Sequence, residues 1–149
     1  MTRPRMPSAL DDALGFNLDR VATFFRRELL VALADYDLTP EQWQLMSVLW
    51  GNEAGLSQQE ITDLLAKDKH NISRMIRRLE AKGWLERQPD PADARALTVR
   101  TTPLGASLQE PVAQTLDHHF GHLDLGLSDA ERTRLVQMLK VLRTRLRDD

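Results

Sequence analysis

The chain has 149 residues, a formal net charge of −2 and 42% hydrophobic residues, a balance typical of one globular domain rather than of a disordered chain. It contains no cysteine, which excludes disulfide scaffolds, thiolate nucleophiles and cysteine zinc sites. No stretch approaches the ~18 apolar residues of a membrane span, and no apolar run follows the N-terminal arginines as in a signal peptide. We therefore expect a cytoplasmic protein without a membrane segment.

Apolar residues at spacings of three and four dominate the first third of the chain and predict two helices. The first covers about 10–34. The second begins at Thr39, which forms a capping box with Gln42, and it ends before Gly51.

The middle of the chain predicts two short helices followed by a hairpin. A second capping box at 57–60 begins one helix, and Asp68 is placed to cap the next, which runs to about Lys82. Alternating residues on either side of a Pro- and Asp-rich turn then predict two strands, 84–88 and 96–101.

Two further amphipathic helices complete the chain. One begins at Thr102 and should be kinked by Pro111, and the other begins at a capping box over 128–131. The expected fold class is mainly α: a winged helix-turn-helix with a two-stranded wing and long N- and C-terminal dimerisation helices.

The expected domain organisation follows from the apolar surface left over by the helix-turn-helix. We expect a single domain over 1–149, with a winged helix-turn-helix at 35–102. The flanking segments, 1–34 and 103–149, are predicted to bury their apolar faces against each other and against a second copy. We therefore expect the protein to form a homodimer.

The helix between Asp68 and Lys82 has two different faces. Its apolar residues cluster on one side at about 100° per residue, and His70, Arg74 and Arg77 lie directly opposite. These donors suit base edges and phosphates, so the helix is predicted to read the major groove of double-stranded DNA. Further expected contacts flank this face or lie at helix N-termini that can meet phosphate: Ser57, Gln58, Lys69, Asn71, Ser73 and Arg78.

The distribution of charge along the chain favours DNA binding, although the net charge of −2 does not. Residues 67–87 carry seven basic and three acidic side chains, a net +4, so the rest of the chain carries −6. An acidic body with one basic segment can bind DNA locally. A charged face is also typical of any surface helix, so a helical protein–protein adaptor with a basic surface remains the alternative.

Residues 68–105 resemble the signature of the multiple-antibiotic-resistance regulator (MarR) family. Their sequence is DKHNISRMIRRLEAKGWLERQPDPADARALTVRTTPLG. The resemblance extends upstream to 38–43 and, through the long flanking helices, to essentially the whole chain. Thr101 departs from it, because the family usually has leucine there. The matching motifs are Leu79-Glu80-x-x-Gly83, Glu86-Arg87, Asp90-Pro91-x-x-Asp93-x-Arg95 and Thr102-Pro103-x-Gly105.

This resemblance implies a homodimeric transcriptional repressor that binds a palindromic operator and is released by a small-molecule effector, often aromatic or phenolic. It implies that 69–78 supply the recognition helix. It also implies that Arg95 enters the minor groove from the wing tip and that Asp93 holds Arg95 in place. Wing arginines of this kind read groove width and negative potential.

Two weaker patterns suggest a ligand or a metal. Four aromatic residues are candidates for lining an effector pocket, although ordinary core packing is the more common role for each of them: Phe16, Phe24, Trp43 and Trp50. His118 and His122 have the i, i+4 spacing of metal ligands, and a zinc-responsive regulator is therefore a further alternative. Such a site would need Asp35, Asp37 or Glu41 as additional ligands. We otherwise expect no cofactor, and because no catalytic motif occurs we expect no enzyme.

Overall fold

The computed structural model describes residues 3–146. Its N-terminal part contains α1 (Ser8–Asp11), α2 (Leu14–Leu33) and a 3₁₀ turn (Ala34–Tyr36). The prediction of one continuous first helix was wrong, because Ala13 is extended and separates α1 from α2. The Asn17 side-chain amide bridges this break by donating to the carbonyl oxygens of Asp11 and Ala13, at 2.7 and 2.9 Å.

The central part contains α3 (Pro40–Trp50), β1 (Leu56–Ser57), α4 (Gln58–Leu65) and α5 (Lys69–Ala81). The predicted caps are confirmed. Thr39 and Gln42 cap α3 reciprocally, Ser57 and Glu60 do the same for α4, and Asp68 accepts from the backbone N–H of Asn71 at the start of α5. These caps satisfy donors that the first helical turns leave without partners.

The wing hairpin consists of β2 (Leu85–Pro89) and β3 (Leu97–Thr101), as predicted, but the sheet has three strands rather than two. The third strand is β1, which pairs antiparallel with β3 through the register Leu56 to Val99. Two residues are too few to show an alternating pattern, and for that reason the sequence did not predict β1. The wing is thereby joined directly to the start of α4.

The C-terminal part contains α6 (Pro103–Ala106), α7 (Gln109–Gly121) and α8 (Asp129–Arg145). Pro111 was expected to kink one long helix, but the chain instead breaks between α6 and α7, with Pro111 in the first turn of α7. The physical reason is the same: proline has no N–H for the carbonyl four residues before it, and its ring crowds that carbonyl. No helix within 3–146 is long and apolar enough to cross a membrane.

The buried core lies in the central part and extends to the helices on either side. Its apolar side chains are Leu33, Leu38, Leu45, Met46, Leu49, Ile61, Ile72, Ile76, Leu79, Leu85, Val99 and Val112. Leu33 belongs to α2 and Val112 to α7, so these two helices pack directly on residues 35–102, which we call the winged unit. α2, α7 and α5 therefore contribute side chains to one close-packed core.

A second apolar surface is left exposed. α8 has no buried residue, and together with α2 it forms a groove of about 940 Å³. The groove is lined mainly by apolar side chains, among them Leu18, Val21, Phe24, Leu135, Val136 and Leu139. A continuous exposed apolar surface of this kind marks an interaction site.

Gly105 allows the close approach of α6 to Trp84, the residue that precedes β2. A Cβ on Gly105 would lie 2.1 Å from the Trp84 carbonyl oxygen, which is backbone and cannot move aside. We therefore expect Gly105→Ala to lower the free energy of unfolding by about 1–3 kcal/mol in urea denaturation. Gly15→Ala is the control, since nothing lies within 4 Å of its added Cβ. Equal stabilities of the two variants would show that α6 shifts without cost.

Candidate nucleic-acid interface

The two faces of α5 are those that the sequence predicted. Ile72, Ile76 and Leu79 are fully buried, whereas His70, Arg74 and Arg77 are exposed on the opposite side. The flanking residues Lys69, Asn71 and Arg78 are exposed, and Ser73 is half-buried. The core thus holds α5 rigidly along one side and leaves a row of donors facing outward.

The basic side chains of residues 67–87 and of the wing differ in whether they form salt bridges. Lys82 pairs with Asp37 at 3.1 Å and Arg87 with Glu80 at 2.8 Å. Within the part of the chain that the structure describes, no salt bridge involves Lys69, Arg74, Arg77, Arg78 or Arg95. The exposed face of α5 therefore presents positive charge that no acidic side chain neutralises, as an anion-binding surface requires.

The N-termini of α4 and α5 lie next to each other. The Gln58 side-chain amide donates to the Lys69 carbonyl oxygen at 3.3 Å, which links the first turn of α4 to that of α5. Ser57 is committed to its capping box, and the Asn71 amide donates to the Asp68 carboxylate. Ser57, Gln58 and Asn71 therefore have intramolecular partners and help to fix the two helix ends in place.

The wing tip is ordered by two aspartates. Asp90 accepts from the backbone N–H of Ala92 at 2.8 Å, and Asp93 accepts from the backbone N–H of Arg95 at 3.0 Å. Asp93 thus contacts the backbone of Arg95, while the exposed Arg95 side chain remains outside every salt bridge of residues 3–146. The hydrogen bond to Asp93 therefore holds the backbone of Arg95 in place, and the Arg95 guanidinium is free to contact a ligand.

An ion pair joins the winged unit to α2 in addition to the shared core. The Arg26 guanidinium contacts the Glu41 carboxylate at 3.0 Å. Burial raises the pKa of Glu41, but its backbone hydrogen bond, Arg26 and Lys67 lower the pKa by more, so that it lies below its ordinary value. Glu41 is therefore ionised at neutral pH and the link between α2 and α3 persists.

Comparisons with known proteins agree with this geometry. The sequence model of the MarR family matches residues 36–96. The HTH-type transcriptional regulator TtmR of Methylorubrum extorquens is 33% identical over 140 residues, covering 94% of this chain and 70% of TtmR. The multiple antibiotic resistance protein MarR of Escherichia coli is 33% identical over 110 residues, covering 72% of this chain and 75% of MarR. The chain belongs to the MarR family.

Solved structures give the same result for the winged-helix fold. The transcriptional repressor CouR bound to a 23-mer DNA duplex has a TM-score of 0.87 and 26% identity, covering 95% of this chain and 99% of the CouR chain. CouR from Rhodococcus jostii RHA1 bound to p-coumaroyl-CoA has a TM-score of 0.80 and 25% identity, covering 93% and 94%. The predicted family and fold class are thereby confirmed, and this chain is a MarR-family transcriptional regulator.

Two of the predicted effector residues share one cavity in this MarR-family chain. Trp43 and Trp50 line a space of about 420 Å³ between α2, α3 and α7. Phe16 lies near the start of α2 and is not among the lining residues, and Phe24 lines the exposed groove between α2 and α8 instead. The cavity lies between the winged unit and the flanking helices.

The predicted metal pair, His118 and His122, lies at the C-terminal end of α7. The rings of His118 and His122 lie 4.4 Å apart, and His122 Nδ1 contacts the His118 carbonyl oxygen at 2.6 Å. The intervening His119 contacts Glu28 at 2.7 Å. Among residues 3–146, no group of three or more His, Cys, Asp and Glu side chains is arranged to hold a metal ion. Asp35, Asp37 and Glu41 therefore do not complete a site around the pair.

One connection near the cavity escaped sequence reasoning. The Trp50 indole N–H donates to the Gly105 carbonyl oxygen at 3.0 Å. Thr102 caps α6 by accepting from the Gly105 N–H, and its hydroxyl donates to the Gly83 carbonyl oxygen at 2.6 Å. The cavity wall is thereby connected to the residues between α5 and the wing. The Thr102-Pro103-x-Gly105 motif was recognisable in the sequence, but no sequence pattern indicated that Trp50 forms a hydrogen bond with it.

Proposed function

We propose that this chain is a sequence-specific DNA-binding repressor that acts as a homodimer on a palindromic operator in the cytoplasm. The observation that carries the proposal is the outward face of α5, where His70, Arg74 and Arg77 lie opposite a fully buried core face. A helix held in this way is the reading element of helix-turn-helix proteins. The similarity to CouR, a transcriptional repressor solved on a DNA duplex, supports the proposal.

The remaining predicted contacts have separate roles in this proposal. Lys69 and Arg78 contact phosphates, and Ser73 extends the reading face along one flank. Ser57, Gln58 and Asn71 hold two adjacent helix N-termini, whose backbone N–H groups and positive dipole ends suit phosphate oxygens. The wing contributes Arg95 to the minor groove, and Asp93 fixes the backbone from which it projects.

Dimerisation would give this reading unit its specificity. In the proposed organisation, 35–102 form the DNA-binding region, and 1–34 and 103–149 carry the dimerisation helices. The exposed apolar groove between α2 and α8 supports this division, because a second copy would bury it. Two recognition helices related by a two-fold axis would then read half-sites about one DNA turn apart.

Release by an effector would act through the cavity lined by Trp43 and Trp50, which we call the tryptophan cavity. A ligand between α2, α3 and α7 would press on Trp50, whose indole N–H is bonded to Gly105. Because Thr102 joins Gly105 to Gly83, a shift of Trp50 would reach the end of α5 and the start of the wing. Such a shift changes the distance between two recognition helices and thereby lowers affinity for the operator.

Arg95→Ala is expected to weaken operator binding by about tenfold while leaving the dimer intact, because the arginine contacts only DNA. Fluorescence anisotropy on a labelled operator measures the affinity, and sedimentation velocity measures the mass. Arg87→Ala, also in the wing but paired with Glu80, is the matched control and should change affinity less. An affinity equal to that of the wild type for Arg95→Ala would exclude the wing contact.

The proposed function is tested by selecting bound sequences from random and genomic DNA. We expect enrichment of one palindromic motif and protection of that duplex from nuclease cleavage. The alternative, an adaptor whose basic surface binds an acidic protein, would enrich no motif and would bind all duplexes with equal, salt-sensitive affinity. That result would overturn the proposal.

A further inference from the structure

The lining of the tryptophan cavity carries a single charged side chain. Every residue that lines it is uncharged except Asp117, on α7. Within residues 3–146, no lysine, arginine or histidine lines the cavity. A carboxylate ligand would therefore meet one negative charge and no positive one.

The carboxylate of Asp117 has no intramolecular partner within residues 3–146. None of the salt bridges or side-chain hydrogen bonds of this part of the chain includes it. Of the basic groups on α7 and α2, His119 contacts Glu28 and Arg26 contacts Glu41, and the adjacent His118 packs against His122 and does not line the cavity. Asp117 is exposed, so its charge stands at the opening of the cavity.

The rest of the lining suits a flat or bulky apolar body. Trp43, Trp50 and Phe120 provide three aromatic rings, and Ser47 and Gln109 provide neutral polar groups. Such rings pack favourably against an aromatic ligand in offset-stacked or edge-to-face arrangements. A volume of about 420 Å³ is within the range of small-molecule sites.

From this combination we propose that the cavity binds an organic monocation with an apolar, aromatic body, such as an aryl-substituted amine. The cationic end would lie at Asp117 and the body among the tryptophans. This inference rests on the proposed function, because it names the ligand class of the cavity through which we propose operator release. The binding step itself requires no DNA.

The test uses three probes that share a phenyl ring and a four-carbon chain but differ in end group: phenylbutylammonium, phenylbutanol and phenylbutyrate. We expect calorimetry on the full, DNA-free chain to give about tenfold tighter binding of the cation than of the alcohol, with the anion weakest. Equal or tighter binding of phenylbutyrate, or no binding of any probe at millimolar concentration, would overturn the proposal.

Matched variants test the role of Asp117. Asp117→Asn should remove the preference for the cation and leave binding of phenylbutanol unchanged. Glu110→Gln removes one negative charge from the same helix outside the cavity, and it should keep the preference. A cation preference that persists in Asp117→Asn would refute the assignment of the charge.

The location is tested by fluorescence. Of the three tryptophans of the chain, only Trp84 lies outside the cavity. In Trp84→Phe the remaining emission reports on the cavity, and it should change as the cation binds; an unchanged emission would place the probe elsewhere. Operator release is measured separately by adding phenylbutylammonium to the DNA complex. Binding without release would leave the ligand class standing and contradict only the proposed release.

Discussion

Arg77→Ala is expected to weaken operator binding by about 1–3 kcal/mol, which corresponds to about 5- to 150-fold in the dissociation constant. Arg77 lies on the face of α5 directly opposite the buried Ile72 and Ile76, and it belongs to no salt bridge of residues 3–146. Arg74→Ala should behave similarly, since Arg74 shares this face. If either arginine contacts a base, its variant should also relax specificity at that position.

The control separates a base contact from a general loss of charge. Arg134→Ala removes the same charge from α8, outside the DNA-binding region and about half a turn away from the groove residue Arg132. We expect it to change affinity by less than about 1 kcal/mol. Binding of Arg74→Ala and Arg77→Ala that matches Arg134→Ala on the selected operator would show that the reading face lies elsewhere.

Leu139→Asp is expected to convert the dimer into a monomer and to reduce operator affinity by about 100-fold or more. Leu139 lines the apolar groove between α2 and α8, and an aspartate buried there by a second copy would have no compensating partner. The loss of affinity follows because two linked half-site contacts exceed either contact alone by about 10²–10⁴. Sedimentation velocity and anisotropy titrations measure the two effects.

Val141→Asp is the matched control for the dimer. Val141 is an exposed apolar residue of the same helix, but it does not line the groove. We expect it to remain dimeric and to bind the operator. Dissociation by Val141→Asp with an intact Leu139→Asp dimer would place the interface on the other side of α8.

Local chemistry explains what the sequence could predict. The capping boxes at Thr39, Ser57 and Ser128 begin helices at the expected residues, because a cap is decided by side chains three positions apart. The two faces of α5 were equally predictable, since buried Ile72 and exposed Arg77 follow from helical periodicity. In both cases the determining residues are near neighbours in the sequence.

The features that escaped prediction depend on contacts between distant residues. The pairing of Leu56 with Val99 joins positions 43 apart, and the bond from Trp50 to Gly105 joins positions 55 apart. Neither leaves a periodic pattern. The aromatic candidates for the effector pocket were also separated by long-range packing. The positions of α7 and α8 decide that Trp43 lines the tryptophan cavity and that Phe24 lines the exposed groove.

The salt dependence of binding to the selected operator and to a scrambled duplex of equal length separates sequence reading by α5 from purely electrostatic binding. We expect two protomers per operator, an affinity that falls steeply with salt on both duplexes, and an at least about 10³-fold preference for the operator. We also expect Arg77→Ala to remove much of that preference. Equal affinity for both duplexes at every salt concentration, with Arg77→Ala unchanged, would contradict a sequence-reading role for α5.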